Sequence, residues 1–380
     1  MSPIVWKVGV ISFFADLSSE LLYPITPVFL TQVLHASMAS VGLIEGIAEL
    51  TASLLKGWAG QFSDRIGKRR LFIWGGYLLS TLSKASIGLA QGWGGVLVAR
   101  SLDRVGKGVR TAPRDAMIAE AVPKKSLGLA FGIHRGMDTL GAVIGPLIAL
   151  GLLELWGEGR LRDFYFLALI PGTIAVFLCF ALPESTSLEP TTIKSKRFSI
   201  EGLPRRYFLF LIGWGIFSFA NSSDAFLLLS VQKNGSSLVR VVLMYCLFNV
   251  IYAASSPFLG RLADRWGRMN LMKVSLLLFS IIYFGFAKAW NPWVLFASYG
   301  AFMGMSEGVG KALVAEMVPA GKERELGASA QGWFGLVTGV ATLGASLTAG
   351  LLWDAFGPHA PFLYGSCGAL LSLIVLTLLR

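Results

Sequence analysis

Between Leu102 and Asp115 the chain reads LDRVGKGVRTAPRD, six ionisable side chains in fourteen positions, with apolar sequence on either side. Asp103, Lys107, Arg110 and Arg114 fall at i, i+4, i+7 and i+11, the spacing of one helix face, with Arg104 beside them. Such a ladder can hold an anionic group, pair with carboxylates, or both. Carboxylates are available. Asp16 and Glu20 stand one turn apart in FFADLSSELLYPITP, Glu45 and Glu49 one turn apart in GLIEGIAELTASLLKGW, and AFGIHRGMDTLGA supplies His134, Arg135 and Asp138. The later half of the chain is sparser, with Asn221, Asp224, Asn249, Glu307 and Lys311. Two carboxyls one turn apart and partly out of water can trade a proton, which suits Asp16 and Glu20 to proton coupling; the alternative is a fixed salt-bridge web with the bases. Glu45 and Glu49 read as gating pairs, and His134 as a packing histidine more readily than a metal ligand. Lys107, Arg110, His134, Arg135, Asp138, Asn221, Asp224, Asn249, Glu307 and Lys311 form the expected solute-binding set.

The elements that position these groups are membrane spans. Of 380 residues, 54% are hydrophobic and 14% charged, where soluble domains carry about 25% charged residues; the mean hydropathy is +0.64. A helix needs roughly 20 apolar residues to cross a ~30 Å hydrocarbon core. Runs of that kind lie near 5–32, 38–60, 71–91, 94–118, 127–154 and 163–183, then near 206–231, 238–260, 271–290, 293–317, 326–353 and 361–379. The start, MSPIVWKVGVISFF, lacks a charged leader region and a cleavage site, so it reads as the first span. The stretch PESTSLEPTTIKSKRFSIEGLPRR is polar and aperiodic and reads as a linker. The expected organisation is an N-terminal six-helix bundle over 1–183, a cytoplasmic linker over 184–205 and a C-terminal six-helix bundle over 206–380. The fold class is therefore an all-α membrane protein of 12 transmembrane helices, its two bundles related by a pseudo-two-fold.

The ladder now acquires a constraint. Taking the fourth span from Gly94 at a 1.5 Å rise, Arg104 lies roughly 15 Å deep, where a charge costs about 2.5–3.5 kcal/mol. The charges must face a wet cavity or pair with acids. Arg114 and Asp115 fall nearer the cytoplasmic interface, and Gly106 and Gly108 allow a neighbouring helix or solute close by.

A net charge of +11 could suggest nucleic acid, but the basic residues sit in short loops. Arg65, Lys68, Arg69 and Arg70 lie between spans 2 and 3, and Lys124 and Lys125 between 4 and 5. Lys194, Lys196, Arg197, Arg205 and Arg206 lie in the linker, and Arg261, Arg265 and Arg268 between 8 and 9. The opposite loops HASMAS, QGWGG and AWNPW carry no Lys or Arg; GEGRLRD is the exception. Both termini are expected in the cytoplasm of a bacterial inner membrane. Among these loops a repeat is visible: Gly60, Asp64, Arg65 and Gly67 of GQFSDRIGKRR recur as Gly260, Asp264, Arg265 and Gly267 of GRLADRWGR. The glycines permit a tight turn. The acids and bases, with Arg69, Asp115 and Arg268, form the expected gating set, the alternative being a topology determinant with a turn.

The element at 60–69 resembles the loop motif of the major facilitator superfamily, and 260–268 matches its second-half position. Leu182-Pro183-Glu184-Ser185 is similar to the motif that ends the sixth span there. Arg104-x-x-Lys107-Gly108-x-Arg110-x-Ala112 resembles the family's RxxQGxGxA element, with Lys for Gln and Arg for the second Gly. Gly141-x-x-x-Gly145-Pro146 is similar to an element of proton-coupled exporters, although Ile148 and Ala149 stand where a glycine pair usually follows. The resemblance implies alternating access and a role for Arg104 in proton exchange, which joins it to Asp16 and Glu20 as the expected proton-coupling set.

The function expected is secondary active transport of a small charged or zwitterionic organic solute, as proton antiport with efflux. The alternatives are an uptake symporter or facilitator, a metal or metal-chelate carrier using Asp16, Glu20 and His134, and a non-transporting membrane receptor or membrane-embedded enzyme. No GxxxxGK[ST], CxxC, HExxH or Gly-x-Ser-x-Gly pattern occurs, so no enzyme chemistry, cofactor or metal is expected. Cys179, Cys246 and Cys367 lie in apolar runs and read as small buried hydrophobes. The partners expected are solute, protons and the bilayer, with no nucleic acid, around a monomer.

Overall fold

The protein is described by a computed structural model over residues 2–123, 126–184, 202–319 and 323–378. The linker stretch 185–201, the loop lysines Lys124 and Lys125, and the side chains of Gly60, Asp64, Arg65 and Glu307 lie outside the described residues.

Every described element is helical, and fifteen of them are α-helices. The chain opens with α1 (Pro3–Glu20), where Ser2 Oγ accepts the Ile4 N–H at 3.3 Å and Pro3 occupies the first turn. Proline suits that position because the N–H it lacks would be unpaired there. The first span then breaks at Leu21–Pro24, restarts as α2 (Ile25–Val28), and ends in a π-helical turn, Phe29–Val33. Pro24, which cannot donate and clashes with the preceding turn, accounts for the break. There follow α3 (Met38–Ile66), α4 (Arg69–Leu89), α5 (Trp93–Glu120) and α6 (Leu127–Trp156). The sixth run divides into α7 (Leu161–Leu167) and α8 (Leu169–Leu178), closed by a 3-10 turn, Cys179–Ala181.

The second half repeats this order with α9 (Arg205–Ala220), α10 (Ala225–Lys233), α11 (Leu238–Trp266), α12 (Arg268–Ala287), α13 (Pro292–Met317), α14 (Glu323–Phe356) and α15 (His359–Thr377). The run expected as one helix over 206–231 is broken at 221–224, two hundred residues after the break at 21–24. Here no proline acts. In Asn221-Ser222-Ser223-Asp224 the side chains compete for backbone hydrogen bonds: Ser223 Oγ accepts from the Ala225 N–H at 3.3 Å. A second correction concerns α3 and α11. They run on to Ile66 and Trp266, past the ends expected at 60 and 260, so Asp64, Arg65, Asp264 and Arg265 ride on helices rather than in loops. Gly67 (φ +69°) and Gly267 (φ +95°) end them in the left-handed region that glycine adopts without a Cβ penalty.

Among the described residues, eight helical stretches, Pro3–Val33 and Leu238–Trp266 among them, are long and apolar enough to cross a bilayer by length and composition, against twelve spans expected over the whole chain. The fourth run, α5, falls outside the eight with its load of charge, and α9 and α10 are each too short alone. Large apolar side chains point outward along the helices, as at Val98, Leu155, Phe177 and Phe258, an exposure that water would not tolerate but acyl chains match.

The helices sort into two compact units. One comprises Met1–Ala36, Ile47–Thr192 and Ser237–Cys246; the other comprises Ser37–Gly46, Ile193–Ser236 and Leu247–Arg380. In the first unit, α6 lies against α1 backbone to backbone: a Cβ on Gly141 would meet Phe13 O at 2.6 Å, and one on Gly145 would meet Leu21 N at 2.8 Å. Likewise a Cβ on Gly106 of α5 would meet Gly76 O of α4 at 2.5 Å. In the second unit the core is aromatic, with Phe217, Phe279, Tyr283, Tyr299 and Phe302 buried and in ring-to-ring contact, edge-on between Phe217 and Phe279 and stacked between Phe279 and Tyr283. That unit also holds the first residues of α3, whose Met38 and Ala39 N–H groups donate to the Asp354 carboxylate at 3.0 and 2.8 Å.

Candidate functional site

The charged ladder of α5 sits inside the first unit. Val98 and Leu102 expose their apolar side chains, and Lys107, nine residues beyond Val98, lies about 180° around the helix at roughly 100° per residue. The ladder therefore faces away from the outward apolar surface. Arg104 is 8% exposed, and its Nη1 stands 3.7 Å from Glu49 Oε1 on α3. A buried base is tolerable because an acid faces it.

The four residues expected on one face part company in the structure. Asp103 is buried against α4, where Ser80 Oγ donates to its carboxylate and Arg100 Nη1 stands 4.0 Å away. Arg110 is also buried, its guanidinium 4.3 Å above the Tyr77 ring, with Nε and Nη1 lacking a hydrogen-bond partner among the described residues. Lys107 is exposed. Arg114 turns to α1 and to its neighbour, donating to Ser12 Oγ at 3.3 Å and to Asp115 Oδ1 at 3.0 and 3.1 Å. Long aliphatic stems let the charged ends leave a shared face in different directions.

Opposite the ladder, α1 presents Asp16 and Glu20, both half-buried. Asp16 feels the charges of Lys107, Arg110 and Arg114 from α5 and of Asp138 from α6. Glu20 accepts a hydrogen bond from Tyr245 Oη at 2.6 Å, and Tyr245 stacks on Tyr23 at 5.1 Å. Because Gly141 and Gly145 bring α6 against α1, His134 reaches Ser12 Oγ with Nε2 at 2.8 Å, and Ser12 reaches Tyr77 Oη at 3.1 Å. The same Nε2 stands 3.8 Å from Asp138 Oδ1, a buried oxygen with no hydrogen-bond partner among the described residues. Arg135 on the same helix is exposed. Glu45, at the α3 start, is buried. Asp16, Glu20 and His134 make no metal cage: no three His, Cys, Asp or Glu gather as one among the described residues.

The second unit arranges its polar groups around the helix break. Tyr299 Oη donates to Asp224 Oδ1 at 2.6 Å, and Tyr283 Oη donates to Asn221 Oδ1 at 3.4 Å. Asn249 is buried on α11, while Lys311 is exposed on α13, its backbone carbonyl accepting from Gln331 Nε2 at 2.8 Å. The helix turns carry their own ion pairs. Arg268 binds Asp264 at 3.0 Å and Glu316 at 3.3 Å, and in the first unit Arg69 pairs with Glu120. Arg70 binds Glu184 at 2.8 Å. Arg265 is exposed.

Several partners were not singled out by sequence reasoning: Lys84, Ser80, Ser18, Ser12, Tyr77 and Tyr245. Lys84 is buried on α4, donates to Ser18 Oγ at 3.2 Å and attracts Asp103. Its signal was in plain view, a lone ionisable residue within LLSTLSKASIGL. The tyrosines and serines gave none, since such residues abound in spans without function.

The model of the Major Facilitator Superfamily matches residues 8–322 and 207–380. An uncharacterized MFS-type transporter of Methanocaldococcus jannaschii is 34% identical over 99% of this chain and 94% of its own length. Multidrug resistance protein 2 of Bacillus subtilis is 26% identical over 72% of this chain and 70% of its own. In fold, a crystal structure of a mutant of the nucleoside transporter NupG superposes with a TM-score of 0.83 at 13% identity, covering 99% of both chains. The helices, their repeat and these matches agree: this chain is a multi-pass membrane transporter with the major facilitator fold, and it belongs to the major facilitator superfamily.

Proposed function

We propose that the protein exports a small charged or zwitterionic organic solute in exchange for protons, by alternating access. The observation that carries this reading is the arrangement within the first unit: bases of α5 set against acids of α1, α3 and α6, away from the apolar outer surface. Sites of mixed sign inside a membrane protein mark solute and proton paths, because hydrocarbon offers ions no other refuge. Asp16, Glu20 and Arg104 form the proton-coupling group in this reading. The solute contacts in this reading are Lys107, Arg110, Arg135, Asn221, Asp224, Asn249, Glu307 and Lys311. The Asp264–Arg268–Glu316 and Arg69–Glu120 pairs act as gate ties. The multidrug-resistance name of the Bacillus relative favours export. The basic loops favour an inner membrane with both termini, and the 184–205 linker between the 1–183 and 206–380 halves, in the cytoplasm.

The test is flux in proteoliposomes with an internal pH-sensitive dye, screened with amino acids, dipeptides, organic anions and ethidium. A solute gradient should move protons in the opposite direction. Arg104→Ala should abolish that movement with membrane insertion intact, and Asp16→Asn should flatten its pH dependence. Proton movement in the same direction as solute would replace antiport with symport, and wild-type flux in Arg104→Ala would remove that arginine from the mechanism.

A further inference from the structure

We infer that His134 and Asp138 are a proton-exchanging pair, linked through Ser12 to Tyr77, rather than groups that touch the solute. The inference rests on the proton-coupled reading above and assigns its inner step.

Count the hydrogen bonds at Ser12. Its hydroxyl has one hydrogen and two lone pairs. It meets three partners: Arg114 Nη1 at 3.3 Å, Tyr77 Oη at 3.1 Å and His134 Nε2 at 2.8 Å. Arginine only donates, so it takes one lone pair. The remaining lone pair and hydrogen can be arranged in two ways. Either Tyr77 donates to Ser12 and Ser12 donates to a bare Nε2, or Nε2–H donates to Ser12 and Ser12 donates to Tyr77. Both arrangements satisfy every atom, so Ser12 accommodates Nε2 with or without its proton by one rotation of a hydroxyl. A histidine held only for packing needs no such two-way partner.

Nε2 also has somewhere to send that proton. Asp138 Oδ1 stands 3.8 Å from it, buried and without a hydrogen bond among the described residues. A buried, unpartnered carboxylate oxygen is costly, and a proton removes the cost. In the exchange, a side-chain rotation first closes the 3.8 Å gap to hydrogen-bonding range; an imidazolium then gives up its Nε2 proton and Asp138 Oδ1 takes it, so a neutral imidazole and a neutral carboxyl replace an ion pair. The proton itself comes from water. The charges that act on the pair are Asp16 on α1, Arg114 and Asp115 on α5, and Arg135 on α6, while Arg110 of α5 lies over the Tyr77 ring of α4. Asp138 and Asp16 act on one another directly, so a proton on Asp138 changes the field at the coupling carboxylate. His134 is only 4% exposed, which denies it to a solute but not to a proton.

The test is infrared titration of the carboxylic C=O band in the purified full-length protein, with pH as the only probe. A band should be present in the wild type and missing in Asp138→Asn. His134→Gln keeps a hydrogen-bonding end for Ser12 but cannot carry a second proton; it should move the titration of that band by about one pH unit or more, as coupled sites require. Ser12→Ala should move it in the same sense by less. In proteoliposomes His134→Gln should slow proton flux by about tenfold or more and flatten its pH profile, since a factor of ten is ~1.4 kcal/mol of barrier. An unshifted band in both His134→Gln and Ser12→Ala, or a His134→Gln variant with the wild-type pH profile, overturns the inference. The two readings fail separately: a shifted band without any flux sinks antiport alone, and flux with an unshifted band sinks the pair alone.

Discussion

Gly141 offers the sharpest test of how packing positions the coupling carboxylate. In Gly141→Ala the new methyl would lie 2.6 Å from Phe13 O, 3.0 Å from Leu17 N and 3.1 Å from Asp16 Cβ. Ordinary contact begins near 3.4 Å, so α1 and α6 must part locally by roughly 0.8 Å, the gap between 2.6 and 3.4 Å, and overpacking of that kind costs about 1–3 kcal/mol. Neither neighbour can yield as a flexible side chain would, because two of the three atoms are backbone. Parting the helices by this amount would stretch the 2.8 Å His134–Ser12 bond to about 3.6 Å, beyond hydrogen-bonding range. The variant should therefore melt earlier in a detergent thermostability assay and lose most of its proton flux in liposomes. Gly151→Ala, on the same helix with open space at its Cα, is the control and should behave as wild type. If Gly141→Ala melts and pumps as wild type does, the α1–α6 contact does not hold the site, and the reasoning from close approach to function is wrong.

Two further outcomes follow from the geometry. Lys84→Met strips the buried Asp103 of a neighbouring cation while Ser80 and Arg100 remain, so the loss should lie near the low end of the ~3–5 kcal/mol seen when a buried pair is broken; chemical denaturation measures it, and Lys84→Met with Asp103→Asn should recover part of the loss. No recovery in the double variant would show that the two do not act as a pair. Gly267→Val places a β-branched residue at φ +95°, a strain of order 1–3 kcal/mol, and should slow turnover in the flux assay with insertion unchanged; normal turnover would mean that the turn is not needed.

Much of this architecture is written in hydropathy. Runs of apolar residues gave the helices in order, and Pro24 announced the interruption of the first one. The matching interruption at 221–224 was readable only by carrying the two-hundred-residue repeat through, because Asn, Ser and Asp break a helix less forcibly than proline does. The site was legible in residue type but not in partnership. Spacing placed Asp103, Lys107, Arg110 and Arg114 on one face, yet which neighbour each head reaches depends on how α4, α1 and α6 are rotated and how closely glycines let them approach. Tyr77 and Ser12 join the site for that reason alone, and nothing in their local sequence distinguishes them from other residues of their kind.

The sorting of residues into units has a consequence for anyone who divides the gene. Residues 237–246 pack with the first unit and residues 37–46 with the second, so a cut in the central polar stretch leaves each fragment without ten residues that its own fold is built around.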